Sequence, residues 1–348
     1  MSAQLFSSQE RVREDGLKVS FRFLLGLYAI IPICLLVEWF DILLWQGSLR
    51  EILPSRPEHF LLFHVLFGTP HIIASALILT SNREYFGYYR HRIMMMTLII
   101  ALFFGIGSLF IPYRVFYILV AAWTVYHVLK QQHGIAKGVC KLPVWPYRLL
   151  LGLSFAAGLL IYLGIFLKNS LEPEQAEWTR HIAGALTLLL LLATVLYQRS
   201  VTTGFGKLFL WANTMLVVST FYLFVQQYYF LAILVPRLVH DATAYVFYVT
   251  HDNNRHGRQA RNFIYRWAQA FKIPVLLVLP LLSFGVALLL HQYGDAAIEF
   301  LVDFLFGVEI RKVVSLGVIG YLALLHYYTE AFTWKNDSPY RKFIAFSK

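Results

Sequence analysis

The chain has 348 residues, of which 58% are hydrophobic and 17% aromatic, while only 14% are charged. Its mean hydropathy is +0.60. These values exclude an ordinary soluble domain and indicate a polytopic membrane protein. The formal net charge of +11 is typical of a basic cytoplasmic face lying on anionic lipid, so we expect no nucleic-acid partner.

Apolar runs of about 20 residues, the length that crosses a hydrocarbon core, recur along the whole chain. They predict an all-α fold, a polytopic membrane helical bundle of ten spans. One transmembrane domain, residues 21–334, would lie between a cytoplasmic N-terminal segment, 1–20, and a cytoplasmic tail, 335–348. The predicted spans are Phe21–Leu44, Phe60–Thr80, Ile93–Ile111, Val115–Leu129, Arg148–Leu167, His181–Leu196, Leu208–Val225, Tyr228–Thr250, Ile273–His291 and Val313–Phe332.

Lysine and arginine residues alternate between abundant and scarce in successive loops, as the positive-inside rule requires. With the N-terminus inside, most of the 30 basic residues are cytoplasmic. Both termini are then cytoplasmic, and the expected location is the bacterial inner membrane. Gln226 and Gln227 form almost the whole predicted turn between the seventh and eighth spans. The loops predicted outside are acidic, with Glu172, Glu174 and Glu177 in one and Asp295, Glu299, Asp303 and Glu309 in another.

Most of the twelve histidines lie in or beside predicted spans, where ionisable side chains are costly and usually functional. At 3.6 residues per turn, His240 and His251 share one face of a helix. His326 and Glu330 lie at positions i and i+4, so a nitrogen and a carboxylate point the same way. We predict a metal site in the cytoplasmic half of the bundle. The candidate ligands are His64, His71, His127, His133, His240, His251, His256 and His326.

Neutral imidazoles with a few carboxylates and no useful thiols favour iron, with zinc and copper as weaker alternatives. A site within the lipid also suits O2 and substrates that never enter water. The candidate catalytic carboxylates are Glu330 and Asp241. Side chains that could hold ligands in place by hydrogen bonding are Asp252, Asn253, Gln131 and Tyr248.

Histidine clusters on the cytoplasmic side of a helical membrane protein resemble the integral-membrane fatty-acid desaturases and hydroxylases, which hold two non-haem irons. The resemblance is partial, because no two histidines are adjacent in this chain. Only the segment from His251 to His256 comes close to the spacing of the first histidine box of those families. The resemblance implies a di-iron oxygenase that uses O2 on a fatty acyl, hydrocarbon or isoprenoid substrate. A separate electron donor would dock on the basic cytoplasmic face.

A second resemblance is to the bacterial Brp/Blh membrane carotenoid dioxygenases, which hold one iron with histidines from several helices. It rests on Thr69-Pro70-His71 and on Tyr126-His127. The acidic residue expected soon after the first histidine is absent. This resemblance implies a mono-iron enzyme that cleaves a carotenoid. A haem or quinone electron-transfer protein and a proton-coupled transporter remain as further alternatives, although the sequence has no repeated halves of the kind many transporters show.

Overall fold

The computed structural model describes residues 16–55, 66, 68–257, 259–309, 313–335 and 337–347. Within these residues, seven helices are long and apolar enough to cross a membrane. The chain is therefore a helical membrane protein, as its composition predicts, while the count of ten spans stays a prediction. The seven are Phe21–Leu44, Arg83–Ile106, Val144–Phe166, Pro173–Ser200, Gly204–Val225, Tyr229–His256 and Val275–Phe306.

Helices make up nearly all the regular secondary structure of the described residues. In chain order they are α1 (Phe21–Gly26), α2 (Ile30–Leu44), α3 (Ser48–Ile52), α4 (Thr69–Ser81), α5 (Arg83–Ile100), α6 (Tyr113–Cys140), α7 (Val144–Phe166), α8 (Pro173–Tyr197), α9 (Gly204–Val225), α10 (Tyr229–His256), α11 (Phe263–Ala270), α12 (Val275–Leu289), α13 (Asp295–Phe306) and α14 (Ile319–Thr333). Short 3₁₀ or π segments are Leu27–Ala29, Ala101–Ile106, Gly107–Leu109, Gln198–Ser200, Leu290–Gly294, Val313–Val318 and Tyr340–Phe343. Two strands are also present, β1 (Lys18–Ser20) and β2 (Ala345–Ser347).

The described residues fall into two compact units. The first unit takes its residues from 1–20, 61–113 and 243–348, and the second from 21–60 and 114–242. In the first unit, α4 packs against α5, α12 and α14. Strands β1 and β2 pair in parallel, with Lys18 opposite Ala345. This small sheet is an addition to the all-α fold that the sequence predicts.

In the second unit, α7, α8 and α9 pack against one another, and α9 also packs against α2. Gly164 of α7 marks the close approach of α9. A Cβ atom added there would lie 2.7 Å from Cζ of Phe224. Small residues at such contacts let membrane helices approach closely, and van der Waals packing then holds the helices together.

Replacing Gly164 with alanine is expected to lower the free energy of unfolding by about 1–3 kcal/mol, because the added methyl group overpacks the contact with Phe224. The matched control is Gly152→Ala on the same helix, where the added Cβ would meet nothing within 4 Å apart from its chain neighbours and the backbone of its own helix. That change should be neutral or stabilising, since alanine favours helix more than glycine does. Thermal unfolding of both variants in detergent measures the difference, and equal midpoints would contradict the prediction.

The predicted turn after the seventh span is present as a break between two helices. Helix α9 ends at Val225, and α10 begins at Tyr229. Gln227 adopts a left-handed backbone conformation with φ of +67°. The backbone N–H of Tyr228 donates to the carbonyl of Leu223 at 2.9 Å. This bond satisfies a carbonyl at the helix end, as in a Schellman motif.

The helices extend into both segments that the sequence assigns to acidic outer loops. Glu172 and Gln175 form a capping box at the start of α8, and Glu177 lies within that helix. Asp295 and Asp303 lie on α13. The predicted loops are therefore wrong at Glu177, Asp295 and Asp303, which are helical, whereas Glu172 is the capping residue before α8. Acidic side chains at a helix start stabilise unpaired N–H groups, which accounts for the extension of α8. Asp295 and Asp303 instead lie far along a helical run that continues from Val275 to Phe306.

Candidate metal centre

The first unit brings together two of the predicted histidine ligands, His71 and His326. His71 lies in the first turn of α4, directly after Pro70. Proline fits there because the first N–H groups of a helix have no partner within the helix. Both imidazoles are buried. Their ring centroids are 4.8 Å apart, with the ring planes 79° to each other, and a ligand nitrogen of one ring lies within 4.8 Å of a ligand nitrogen of the other.

Glu330 lies one helical turn after His326 on α14, as the sequence predicts. The Nε2 atom of His326 is 4.0 Å from Oε2 of Glu330. The other carboxylate oxygen, Oε1, accepts hydrogen bonds from the Tyr248 hydroxyl and, at 3.2 Å, from Nε1 of Trp334. These donors fix the carboxylate with Oε2 on the side of His326. Two imidazoles and one carboxylate are therefore available in this unit.

The second unit brings together another pair, His127 of α6 and His240 of α10. Their ring centroids are also 4.8 Å apart, and their planes are 81° to each other. Asp241 follows His240, with Oδ1 at 3.9 Å from Nε2 of that ring. Arg237, one turn earlier on α10, lies 3.4 Å from Oδ2 of Asp241 and compensates its charge. This unit also offers two imidazoles and a carboxylate.

His251 and His240 cannot ligate the same ion. They lie on the same face of α10, but eleven residues of helix separate them by about 16 Å along the axis. In addition, both ring nitrogens of His251 have partners. Nε2 lies 2.8 Å from the Tyr85 hydroxyl, and Nδ1 lies 2.8 Å from Oδ1 of Asp252. We therefore place His251 outside the candidate ligand sets.

Asp252 is the centre of a buried polar network in the first unit. Its Oδ2 accepts a hydrogen bond from Tyr265 of α11, and the Tyr265 ring stacks on His256 at 4.0 Å between centroids. Burial, and next the charge of Asp252, raise the pKa of Tyr265, so its hydroxyl stays protonated as the donor. Because a carboxylate only accepts, Nδ1 of His251 carries a proton and Nε2 accepts from Tyr85.

Other predicted site residues have local roles in the structure. Nε2 of His133 lies 3.0 Å from the Ser154 hydroxyl. Nδ1 of His256 accepts from the backbone N–H of Arg261 at 3.2 Å. Gln131 accepts a hydrogen bond from the neighbouring Gln132, and the backbone carbonyl of Asn253 accepts from Gly257. His64 lies outside the described residues.

Sequence reasoning missed several of these partners. Trp334 carries a signal that could have been used, because it follows Glu330 by four residues on the same helix. Tyr85 and Tyr265 carry none, since they lie on other helices and tyrosine is common in membrane proteins. Arg255 donates to the Tyr85 hydroxyl at 3.0 Å. Its only signal in the sequence was its position in a basic cytoplasmic segment.

Comparisons with models of protein families, with curated proteins and with solved structures found no match to this chain.

Proposed function

We propose that the protein is an integral-membrane non-haem iron oxygenase that uses O2 to oxidise a lipid-soluble substrate. The observation that carries this proposal is the pair of buried imidazoles His71 and His326, with the Glu330 carboxylate 4.0 Å from His326. Two histidines and one carboxylate with open positions are typical ligands of non-haem Fe(II) in oxygenases. Iron held there would supply the activation of O2, which itself dissolves in the bilayer.

A second pair of buried imidazoles, His127 and His240, offers further ligands, and the number of ions per chain separates the di-iron form of the proposal from its mono-iron form. His127, His240 and Asp241 repeat the same ligand chemistry in the second unit. Each set has a carboxylate with a charged or hydrogen-bonding partner, which is the usual way in which proteins orient ligands. The di-iron form predicts two ions per chain, whereas a mono-iron carotenoid-cleaving enzyme would bind one.

A haem protein agrees less well with these pairs. Axial histidines hold a planar macrocycle between them. The rings of His71 and His326 are in edge-to-face contact, and so are those of His127 and His240. Neither contact leaves space for a porphyrin between the two rings.

The substrate class and the topology are parts of the same proposal. A fatty acyl, hydrocarbon or isoprenoid chain would reach the protein through the membrane, and a separate electron donor would dock on the basic cytoplasmic face. Strands β1 and β2 support an even number of crossings, because paired strands must lie on one side of a membrane. We place both termini in the cytoplasm and the protein in the bacterial inner membrane.

Metal analysis of the purified full-length protein tests the proposal, together with its ultraviolet-visible spectrum and its O2 consumption. We expect two equivalents of iron per chain, no haem Soret band, and O2 consumption that depends on a lipid substrate and a reductant. One equivalent would select the mono-iron form. A Soret band with haem iron, or zinc in place of iron, would contradict the proposed function.

Tyr248→Phe provides a milder test of the Glu330 carboxylate. The change removes the hydroxyl that donates to Oε1, but it leaves His71, His326 and Glu330 in place. Loss of such a supporting hydrogen bond is expected to weaken iron affinity about 10–100-fold. Competition with a chelator measures this affinity. Tyr245→Phe, which removes a hydroxyl 2.7 Å from Ser283, is the matched control and should keep the original affinity.

A further inference from the structure

A cavity of about 320 Å³ lies in the second unit, and none of its lining residues belongs to a donor set. Its lining comes from α3 and the residues that follow it, from Lys168 after α7, and from the turn between α9 and α10 together with the first residues of α10. All these segments follow helices that the predicted topology runs outward. The cavity therefore belongs to the predicted non-cytoplasmic face. Its volume matches the lower range of small-molecule sites and exceeds that of one phosphate group.

Two cations line this cavity, each held over an aromatic ring. The guanidinium carbon of Arg50 lies 6.0 Å from the ring centroid of Tyr228. The Nζ atom of Lys168 lies 4.7 Å from the ring centroid of Tyr229. Both are distances at which a cation is attracted to a ring face. Glu51 also lines the cavity, so the two cations exceed the carboxylates of the lining by one charge.

Buried Asp41 of α2 holds this wall in place. Its carboxylate accepts from the backbone N–H groups of Leu49 at 2.8 Å and Arg50 at 3.0 Å. It also accepts from the Tyr228 hydroxyl at 2.8 Å. One buried side chain thereby fixes both the backbone of Arg50 and the ring beneath its guanidinium. A wall ordered in advance loses less entropy when a ligand binds.

The positions of Arg50 and Lys168 are unusual for basic residues of a membrane protein. Lysine and arginine are scarce in non-cytoplasmic loops, and Arg50 and Lys168 both lie in loops predicted on that side. Trp39 and Trp45, near the end of α2, are more than half exposed. Exposed tryptophans are typical of the level of the lipid headgroups. The cations therefore lie where phosphate groups are abundant.

We propose that this cavity binds a phosphate ester, with the phosphate group between Arg50 and Lys168. The same chemistry is found in a phospholipid headgroup and in a soluble phosphate compound. Charge-assisted hydrogen bonds from a guanidinium and an ammonium hold phosphate strongly. The proposal is independent of the iron chemistry, and iron binding should be unchanged by its variants.

The experiment compares the full-length protein with the double variant Arg50→Gln, Lys168→Gln. Native mass spectrometry, after the detergent-purified protein is mixed with phosphatidylglycerol or with phosphatidylethanolamine, measures the lipid arm. Inorganic phosphate in the same assay measures the soluble arm. Arg114→Gln is the matched control, because Arg114 is an exposed basic residue of the same unit outside the cavity.

The unchanged protein is expected to keep a bound phospholipid, and the double variant to lose it at least about fivefold, while Arg114→Gln keeps it. Binding of phosphate without lipid would support the site and assign it to a soluble phosphate compound. Equal lipid and phosphate binding by the double variant would overturn the proposal, as would no binding of either probe by the unchanged protein. If the double variant fails to fold, Lys168→Gln alone is measured by the same criteria.

Discussion

The His326→Ala variant is expected to lose the ion of its own donor set, so its iron content should fall by about one equivalent per chain. His326 is the central ligand of the first donor set, because it lies next to both other members. Its ring contacts the ring of His71, and its Nε2 atom is 4.0 Å from the carboxylate of Glu330. Loss of a direct ligand should cost more than the 10–100-fold in affinity that a supporting residue provides. In the di-iron form, substrate-dependent O2 consumption should disappear even if the second set keeps its ion.

His181→Ala is the matched control for this experiment. His181 is exposed on α8, so its replacement should leave both iron content and O2 consumption unchanged. His240→Ala tests the second donor set. In the di-iron form, this variant should also lose about one equivalent of iron relative to the unchanged protein. Full iron occupancy in both His326→Ala and His240→Ala would refute the proposed ligands.

Asp252→Ala is expected to lower the free energy of unfolding by about 3–5 kcal/mol. The change leaves two buried donors without their acceptor, Nδ1 of His251 and the Tyr265 hydroxyl. Each buried donor without a partner costs about 1–3 kcal/mol. The thermal midpoint should fall by roughly 5–10 °C. Iron content per folded chain should be unchanged, because Asp252 belongs to neither donor set.

A double variant separates the hydrogen-bond argument from a simple loss of packing. Tyr265→Phe removes one of the two donors, so adding it to Asp252→Ala should cost less than the sum of the single changes. Asp303→Ala is the control, since Asp303 is an exposed carboxylate on α13. An unchanged midpoint in Asp252→Ala, or strict additivity in the double variant, would contradict the role of this network.

The metal ligands show how far helical spacing carries a prediction. The pairing of His326 with Glu330 follows from four residues on one helix, and the structure has these groups 4.0 Å apart. The same periodicity puts His240 and His251 on one face, but it cannot show that the two histidines have different neighbours. Rise along the helix separates them, and hydrogen bonds with Tyr85 and Asp252 give His251 another role.

The acidic segments show the opposite limit. Hydropathy assigns Asp295 and Asp303 to a loop because charge is costly in lipid, yet they lie on α13. Hydropathy measures where a helix can lie in the membrane, whereas backbone hydrogen bonding and capping decide where it ends. A helix can therefore continue well past the residues that cross the lipid.

The amino-acid sequence by itself determined the environment and the local geometry. A chain this apolar must satisfy its backbone within helices if it lies in a bilayer, and the helical period sets which side chains share a face. Only the tertiary structure decided which histidines meet. The contacts of His71 with His326, and of His127 with His240, join residues more than a hundred positions apart. Such pairs arise from the packing of separate helices, which depends on side-chain shapes along their whole length and not on local spacing.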